Sequence, residues 1–454
     1  MTHLVNNRAE LATTSSRALA LDCIESGIEA AHPEQVVRSS VSLSGNRLTV
    51  ADATYDLSAY GELLLVGGGK ATGTVASVLA DLLGDRLTGG AIVTTESVDV
   101  PRIESFEGGH PVPNEEGVAG ARRVLELAGG AGEKTLVLAA ITGGGSALMT
   151  APADGVGLDD VQAVTDAMLD AGMEIHDINA VRKHVSAIKG GQLARTADPA
   201  TVVTLAFSDV VGNDLSVIAS GPTAPDDSTY GDAIDALDRG GVEAPDPVRS
   251  RLEAGAGGDL PETPDASDPA VDSVRTHVLA DGMTAIRAAR DVAADAGYDP
   301  LVLSSRLRGE AREAAKIHAG VAEECHATGT PLAPPAVLLS GGELTVTVRG
   351  DGSGGPSTEF ALASALELDE PGTTVAAVDT DGIDGHADAA GGLVDADTVS
   401  DPSAAREALA NSDAATCLHD HDGAIVTGST GTNVNDLRVV VLNGSLRSPF
   451  DRTN

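Results

Sequence analysis

Short apolar runs alternate along the first half of the chain with longer segments in which apolar residues recur at helical spacing. Buried strands are predicted at ELLLV (62–66), GGAIVTT (89–95), TLVLAAI (135–141) and TVVTLAF (201–207). Helices are predicted over about 70–83, 115–128 and much of 158–195. Strands that alternate with helices are typical of an α/β domain with a Rossmann-like, largely parallel sheet and helices on both faces.

A second series of the same kind occupies the last third of the chain. Strands are predicted at RTHVLA (275–280), PLVLSS (300–305), TTVAAVD (373–379) and LRVVVL (437–442), with two more about a glycine turn in AVLLSGGELTVTV (336–348). Residues 255–272 are rich in Gly, Pro and Asp without an apolar period, which is typical of a linker. We therefore expect an N-terminal α/β domain over 1–254 and a C-terminal α/β domain over 273–454.

The region before the first of these strands predicts two further elements. Residues 8–31 have the pattern of a helix, and the polar pair Gly45-Asn46 lies between two short apolar runs. Such a pair is typical of a hairpin turn.

Acidic residues are spread over the whole chain. The 454 residues include 68 Asp and Glu against 29 Lys and Arg, which gives a net charge of −39, and only five of the basic residues are lysines. A dispersed acidic surface with little lysine is typical of a halophile's proteins, because molar salt screens the repulsion between carboxylates. The same charge, without a basic stripe, argues against nucleic acid as a partner.

Composition also excludes several protein classes. A hydrophobic content of 42% excludes a mostly disordered chain, and no apolar run reaches the roughly 18 residues of a membrane span. The first residues lack a basic region followed by an apolar stretch, so we expect a cytoplasmic protein without a signal peptide. Cys23, Cys325 and Cys417 are odd in number and widely spaced, which predicts neither disulfides nor a zinc site. The oligomeric state stays open, with a homo-oligomer among the alternatives.

The first candidate site is a glycine-rich turn that follows the strand at 62–66. It contains Gly67, Gly68, Gly69 and Lys70. Leu64 and Ala71 break the Walker A pattern, and Thr72 replaces the third glycine of the dinucleotide fingerprint. A bland tight turn would also explain the glycines, but a lysine retained in a lysine-poor chain favours binding of a phosphate or a carboxylate.

A second glycine turn follows the strand at 135–141. Gly143, Gly144 and Gly145 permit close backbone approach, and the hydroxyl of Ser146 can donate to an oxyanion. The G-x-S-x-G elbow of a nucleophilic serine is not met, because Leu148 stands at its last position.

The third candidate is a basic segment, INAVRKHVSAIKGGQLA (178–194). Arg182, Lys183, His184 and Lys189 lie within eight residues, and on a helix Asn179, Arg182 and Ser186 would share one face. A solvated helix face is one interpretation. In a chain of charge −39, a local pocket for an anionic substrate is the other.

Aspartates form the fourth group. Asp209 follows the strand at 201–207, and Asp379, Asp381, Asp384 and Asp388 follow the strand at 373–379. Each alone is consistent with a turn. Grouped at a sheet edge they suit coordination of Mg²⁺ or a general base.

Taken in order, these motifs resemble a known family. GGGKA, GGHPVPNE, GGGSAL, INxVRKHxSxIKGGxLA, SDVVGND, IASGPT, LSGGE, DTDGIDG and TGTNVND are similar to those of type II glycerate kinases, which carry a C-terminal MOFRL domain. The resemblance implies two α/β domains with the active site in the cleft between them. It also implies ATP- and Mg²⁺-dependent phosphorylation of D-glycerate, usually at the C2 hydroxyl, to give 2-phosphoglycerate.

The site hypothesis follows from that resemblance together with the residues above. The predicted catalytic residues are Lys70, Asp209 and Arg182. Nucleotide or phosphate binding is assigned to Gly67, Gly68, Gly69, Gly143, Gly144, Gly145, Ser146 and Lys189. Substrate or metal binding is assigned to Asn179, Asp379, Asp381 and Asp384.

One departure and two alternatives remain. The family usually has Gly-Gly-Arg-Asn-Gln-Glu where this chain has GGPSTE (354–359), so Pro356 replaces an arginine and Arg306, Arg308 or Arg349 would have to substitute. An NAD(P)-dependent hydroxypyruvate reductase is the alternative enzyme, with Glu96, 27 residues after Gly69, holding a ribose. A non-catalytic acidic ligand-binding protein is the third hypothesis.

Overall fold

The computed structural model of the chain describes residues 3–368 and 371–444. These residues form two compact units. The central unit runs from Val36 to Leu279, and the discontinuous unit combines the chain up to Gln35 with the chain from Ala280 onward.

The regular elements of the described residues are numbered in chain order. The α-helices are α1 (Arg8–Leu11), α2 (Ser15–Ala31), α3 (Pro33–Ser40), α4 (Thr72–Leu83), α5 (Glu115–Gly129), α6 (Gly145–Leu148), α7 (Leu158–Asp170), α8 (Ile175–His184), α9 (Gln192–Ala197), α10 (Tyr230–Gly240), α11 (Asp246–Ala256), α12 (Pro269–Asp272), α13 (Gly282–Asp295), α14 (Ala311–Thr328), α15 (Pro356–Glu367), α16 (Pro402–Ala410) and α17 (Ala414–Asp420). The strands are β1 (Val41–Ser44), β2 (Arg47–Val50), β3 (Ala53–Asp56), β4 (Glu62–Gly68), β5 (Gly89–Thr94), β6 (Ile103–Glu107), β7 (Thr135–Ile141), β8 (Thr201–Phe207), β9 (Arg275–Ala280), β10 (Asp299–Leu307), β11 (Ala336–Gly342), β12 (Thr373–Asp379), β13 (Gly391–Asp395), β14 (Ala424–Ile425) and β15 (Asp436–Leu442).

The central unit is built on a six-stranded sheet in the order β6-β5-β4-β7-β8-β9. The strands from β6 to β8 are parallel, and β4 and β7 are apolar over nearly their whole length because both faces of the sheet are covered. Helices flank this sheet, so the predicted Rossmann-like α/β fold is confirmed.

Local elements of the central unit also follow the sequence. β1 and β2 pair in antiparallel register about Gly45, whose φ is 64°, so the predicted hairpin is confirmed. The region 158–195 contains α7, α8 and the start of α9 rather than one long helix.

The discontinuous unit contains a mixed sheet in the order β10-β11-β15-β12-β13-β14. β10 and β11 are parallel, whereas β15 runs antiparallel to both of its neighbours, β11 and β12. This unit is an α/β domain, as predicted, but its sheet is mostly antiparallel. The segment 336–348 supplies one strand, β11, instead of the two predicted strands about a glycine turn.

The compact units divide the chain at places other than the predicted ones. Helix α2 packs against α13 and β15 and so belongs with the C-terminal elements, although the prediction placed it in a domain over 1–254. A hydrogen-bonded cap at Thr14 separates α2 from α1 within the helix predicted over 8–31. The proposed linker, 255–272, lies inside the central unit, where the buried Thr263 donates to Asp226.

Two further observations concern the cysteines and the helices of the described residues. All three cysteines are free and buried. Within 3–368 and 371–444 we find no helix that combines the length and the apolar character needed to cross a membrane.

Candidate active site

The glycine turns after β4 and β7 lie side by side at the carboxyl edge of the parallel sheet. The strand order from β6 to β8 is that of doubly wound folds, which bind ligands where the order reverses, between β4 and β7. The N–H of Lys70 donates to the carbonyl of Gly143 over 2.8 Å, and the N–H of Thr142 donates to that of Gly68 over 3.2 Å. The two turns therefore form one surface, as the site hypothesis requires.

Three side chains converge on the second turn. A Cβ at Gly143 would overlap the carboxylate of Asp209. A Cβ at Gly144, whose φ is 78°, would lie 2.9 Å from Cγ of Lys70 and 3.2 Å from Cδ2 of His110. A side chain at Gly143 would displace the Asp209 carboxylate, and the positive φ of Gly144 favours glycine. The structure thus brings together Lys70 and Asp209, two of the predicted catalytic residues.

Burial and charge oppose each other among these side chains. Burial raises the pKa of Asp209, and the positive charge of Lys70 limits that rise. Burial and the same lysine together lower the pKa of His110. The site thus combines an ammonium group with a carboxylate of enhanced basicity and an imidazole that favours its neutral form. Sequence reasoning missed His110, although it lies within the quoted GGHPVPNE motif.

Lys189 lies beneath the second turn. Its Nζ donates to the carbonyl oxygens of Ser146 over 2.6 Å and of Met149 over 3.3 Å, at the end of the short helix α6. The residue is buried, and burial together with the nearby charge of Arg182 lowers the pKa of Lys189 to about 7. Lys189 therefore stabilises the second turn through hydrogen bonds to two of its carbonyl groups. It also places a titratable positive charge beside that turn.

Arg182 is a half-buried cation without an acceptor. No described residue accepts a hydrogen bond or forms an ion pair with its guanidinium, and burial lowers the pKa of the group. Arg182 lines a pocket together with Ser146, Ser186 and Lys189. A guanidinium that is desolvated yet unpaired, in a protein of charge −39, is suited to an anionic ligand.

Behind this pocket a hydrogen-bonded chain links three elements. Ser146 Oγ lies 2.9 Å from Ser220 Oγ, which in turn lies 2.9 Å from Oδ1 of Asn179 on α8. Ala219 and Ser220 have φ angles of 50° and 60°, a strained backbone that costs about 1–3 kcal/mol for each such residue and is concentrated at functional sites. Asn179 contacts Ser220, a residue that sequence reasoning missed, and its binding of substrate or metal stays a prediction.

The basic segment does not act as one cluster. Helix α8 ends at His184, so Ser186 lies beyond it, and two of the four cations do not line the pocket. Lys183 forms a buried ion pair with Asp226, with Nζ 3.0 Å from Oδ1. His184 bonds to the carbonyl of Ala180. The predicted anion pocket is therefore formed by Arg182 and Lys189 alone among the four.

The remaining predicted aspartates lie in the discontinuous unit. Asp379 ends β12, and burial together with Asp381 and Asp436 raises the pKa of Asp379 to about 8. Asp384 is fully buried and accepts from the N–H groups of Ser357 and Thr358 over 2.9 and 2.7 Å. These groups open α15, which begins at Pro356, so Asp384 caps a helix.

Asp384 is not available to a metal ion, and the metal or substrate role of Asp379 and Asp381 stays a prediction. Both carboxylate oxygens of Asp384 are bonded to main-chain N–H groups, and the buried Arg438, paired with Asp436, supplies a positive charge beside them. Within the described ranges no three His, Cys, Asp or Glu side chains are placed to hold a metal ion. Asp209, beside Lys70, offers a single carboxylate, which fits a Mg²⁺ that keeps phosphate and water ligands.

Comparison with known proteins shows which family the chain belongs to. Residues 19–253 match the model of a domain of unknown function, DUF4147, and residues 336–436 match the MOFRL family. The chain is 36% identical over 431 residues to the D-glycerate 2-kinase of Thermotoga maritima, covering 93% of this chain and 97% of the relative. A protein of Agrobacterium vitis named "putative hydroxypyruvate reductase" is 42% identical over 394 residues. That match covers 84% of this chain and 87% of the relative.

A solved structure shares the fold as well. The crystal structure of the glycerate kinase of Thermotoga maritima superposes with a TM-score of 0.82 at 35% identity, and the match covers 93% of this chain and 98% of that one.

Proposed function

Because the chain belongs to the glycerate 2-kinase family and matches the DUF4147 and MOFRL models, we propose that it transfers the γ-phosphoryl group of ATP to D-glycerate. The product is 2-phosphoglycerate. The observation that carries this proposal is the unpaired guanidinium of Arg182, which lies beside Lys189 and the turn that contacts Lys70. Both reactants are anions, and the surface that these cations form is suited to them.

Phosphoryl transfer depends chiefly on positioning and on neutralisation of charge. Lys70 binds the transferring phosphoryl group or the glycerate carboxylate, because its side chain lies along Gly144 of the second turn while its own N–H donates to Gly143. The N–H groups of Gly69, Lys70 and Ala71 already have acceptors within the protein, so phosphate oxygens are assigned to the N–H groups of the second turn. Arg182 and Lys189 hold the anionic group that enters the neighbouring pocket.

Asp209 has two roles open to it. Its raised pKa makes it a better base, suited to accept the proton of the glycerate hydroxyl as the oxygen attacks phosphorus. As the single carboxylate at the turn it would also hold Mg²⁺, an ion that neutralises phosphate charge. Asp209→Asn separates the two roles. Loss of a base lowers kcat at any Mg²⁺ concentration, whereas loss of a ligand raises the Mg²⁺ concentration required.

The second candidate is a nicotinamide-dependent hydroxypyruvate reductase. It is favoured by the name of the relative in Agrobacterium vitis and by the doubly wound strand order. Against it, the position of the third fingerprint glycine is occupied by Thr72, whose hydroxyl lies 3.3 Å from that of Thr142. Lys70 in the same turn favours a phosphoryl group.

One assay separates these functions. The protein is mixed in molar KCl with D-glycerate and either MgATP or NAD, and formation of ADP and of NADH is followed. We expect ADP that depends on D-glycerate and no NADH. NADH without ADP would replace the kinase by the reductase. Binding of D-glycerate by calorimetry without either product would identify a ligand-binding protein.

A further inference from the structure

Ser146 lines the anion pocket, but the direction of its hydrogen bond is set elsewhere. A hydroxyl has one proton to donate. In the structure Ser220 donates that proton to Oδ1 of Asn179, so the hydroxyl of Ser146, 2.9 Å away, has to donate to Ser220. In this arrangement Ser146 offers the pocket only lone pairs, which repel an anion.

The same arrangement leaves a buried donor unused. Asn179 is 3% exposed and its Nδ2 has no acceptor among the described residues. A buried polar group without a partner is unfavourable and calls for an explanation. In its other orientation the amide donates one N–H to Ser220 and leaves its oxygen at the position without a partner, which is less unfavourable than leaving the N–H groups there.

Rotation of the Asn179 amide by half a turn reverses the direction of both hydrogen bonds that link Asn179, Ser220 and Ser146. Nδ2 of Asn179 then donates to Ser220, Ser220 donates to Ser146, and Ser146 is free to donate into the pocket. Successive hydrogen bonds that point the same way strengthen one another. An anionic oxygen beside Ser146 thus favours this orientation. The hydroxyl of Ser220, in the strained turn at Ala219 and Ser220, lies within hydrogen-bond distance of both Ser146 and Asn179 and links them.

We propose that Asn179 and Ser220 are positioning residues that make Ser146 a hydrogen-bond donor to an anionic oxygen of the substrate. The proposal rests on the phosphotransfer function given above and adds a specific role to two residues behind the pocket. The oxygen belongs either to the carboxylate of D-glycerate or to a phosphate of ATP. Because the two substrates have separate KM values, kinetics distinguish these sources.

The test is a double-mutant cycle between Asn179→Asp and Ser146→Ala. An aspartate at 179 has the shape of asparagine, but its carboxylate can only accept hydrogen bonds. Ser220 must then donate to that carboxylate, and Ser146 must donate to Ser220 rather than to the substrate. Each single variant should raise one KM about tenfold, with a smaller effect on kcat. In the double variant that KM should stay within about twofold of the value for Asn179→Asp, because a Ser146 that already donates to Ser220 has no hydrogen bond to the substrate left to lose.

The charge of the new aspartate is present in both backgrounds, so its contribution cancels from the cycle. Effects that multiply to about a hundredfold in the double variant would overturn the proposal, as would an Asn179→Asp protein with unchanged KM values. Asn46→Asp, the same substitution in the exposed hairpin turn, serves as the matched control and should leave both KM values unchanged.

A structure of the unsubstituted protein with bound substrate gives a second test that does not depend on a variant's folding. It should show a substrate oxygen within hydrogen-bond distance of Ser146 Oγ, and an oxygen placed elsewhere would overturn the proposal. Failure of the proposed function is recognised separately, because the unsubstituted protein would then form no ADP from D-glycerate and MgATP.

Discussion

Lys189 donates a hydrogen bond to the carbonyl oxygen of Ser146 over 2.6 Å, and this contact places a buried positive charge beneath the turn that Lys70 contacts from the other strand. Both acceptors of Lys189 are neutral carbonyls, and no carboxylate of residues 3–368 and 371–444 forms an ion pair with it. With Arg182 also unpaired, the pocket keeps its positive charge available to a ligand.

Lys70→Ala should lower kcat by about 10²–10³-fold, because it removes a charge-assisted contact to the transferring group. Lys134→Ala is the matched control, since Lys134 is an exposed lysine of the same unit that precedes β7. Steady-state kinetics with D-glycerate and MgATP measure the effect. Near-normal turnover by a folded Lys70→Ala protein would remove this residue from the mechanism.

Arg182→Met should weaken binding of the anionic substrate by about 10–100-fold, as expected for loss of a hydrogen bond to a charged group. Its stability should not fall, because the guanidinium has no partner to lose and its desolvation is unfavourable. Calorimetric titration and thermal melting measure the two quantities. A large drop in melting temperature with unchanged affinity would indicate a structural role.

The pKa of Lys189, lowered to about 7, predicts a pH dependence of kcat/KM. The lysine is positive below that pH and loses its charge as the pH rises through it, so kcat/KM should decline above about pH 7. Because the charge of Arg182 is one cause of the shift, Arg182→Met should move the decline to higher pH. A profile that is flat from pH 6 to pH 9 would contradict this assignment.

Asp379→Asn should stabilise the protein at pH 8 more than at pH 5. The pKa of Asp379 is raised to about 8, so between the unfolded value of 3.8 and that pH the folded state retains a proton that the unfolded state has lost. Stability therefore falls as the pH rises through this window, and asparagine removes the fall. Melting temperatures of both proteins at the two pH values measure this difference in stability, and each kcal/mol corresponds to a shift of roughly 2–4 °C. Asp388→Asn, a control at an exposed position, should change the melting temperature equally at pH 5 and pH 8.

The charge of −39 predicts that the fold needs salt. Screening lengths shrink to about 3 Å in molar KCl, which weakens repulsion between surface carboxylates. The melting temperature should therefore rise between dilute buffer and molar KCl. Equal melting temperatures in the two solutions would refute adaptation to high salt.

Much of the central unit could be predicted from the sequence. Apolar runs identified β4 and β7. Because parallel strands bring their carboxyl ends to one edge of the sheet, the fold class predicts that the turn at Lys70 contacts the turn at Gly143. The mostly antiparallel sheet of the other unit did not follow. There β15 lies between β11 and β12, a pairing of distant segments that no local pattern records.

The roles of individual side chains were harder to predict. Lys183 and Arg182 are neighbours in sequence, yet one is paired with Asp226, 43 residues away, and the other is unpaired. Ser220 lies in a quoted motif, but its contact with Asn179 depends on a strained turn that the sequence does not reveal. Spacing identifies where cations gather, whereas their partners come from tertiary packing.

A phosphorus NMR spectrum recorded during turnover tests the central claim most directly, because it follows the transferred group itself. With D-glycerate and MgATP in molar KCl, the γ-phosphate resonance of ATP should decline while a resonance of 2-phosphoglycerate grows in equal amount. A spectrum in which ATP persists, or in which its γ-phosphate is released only as inorganic phosphate, would contradict the proposed transfer.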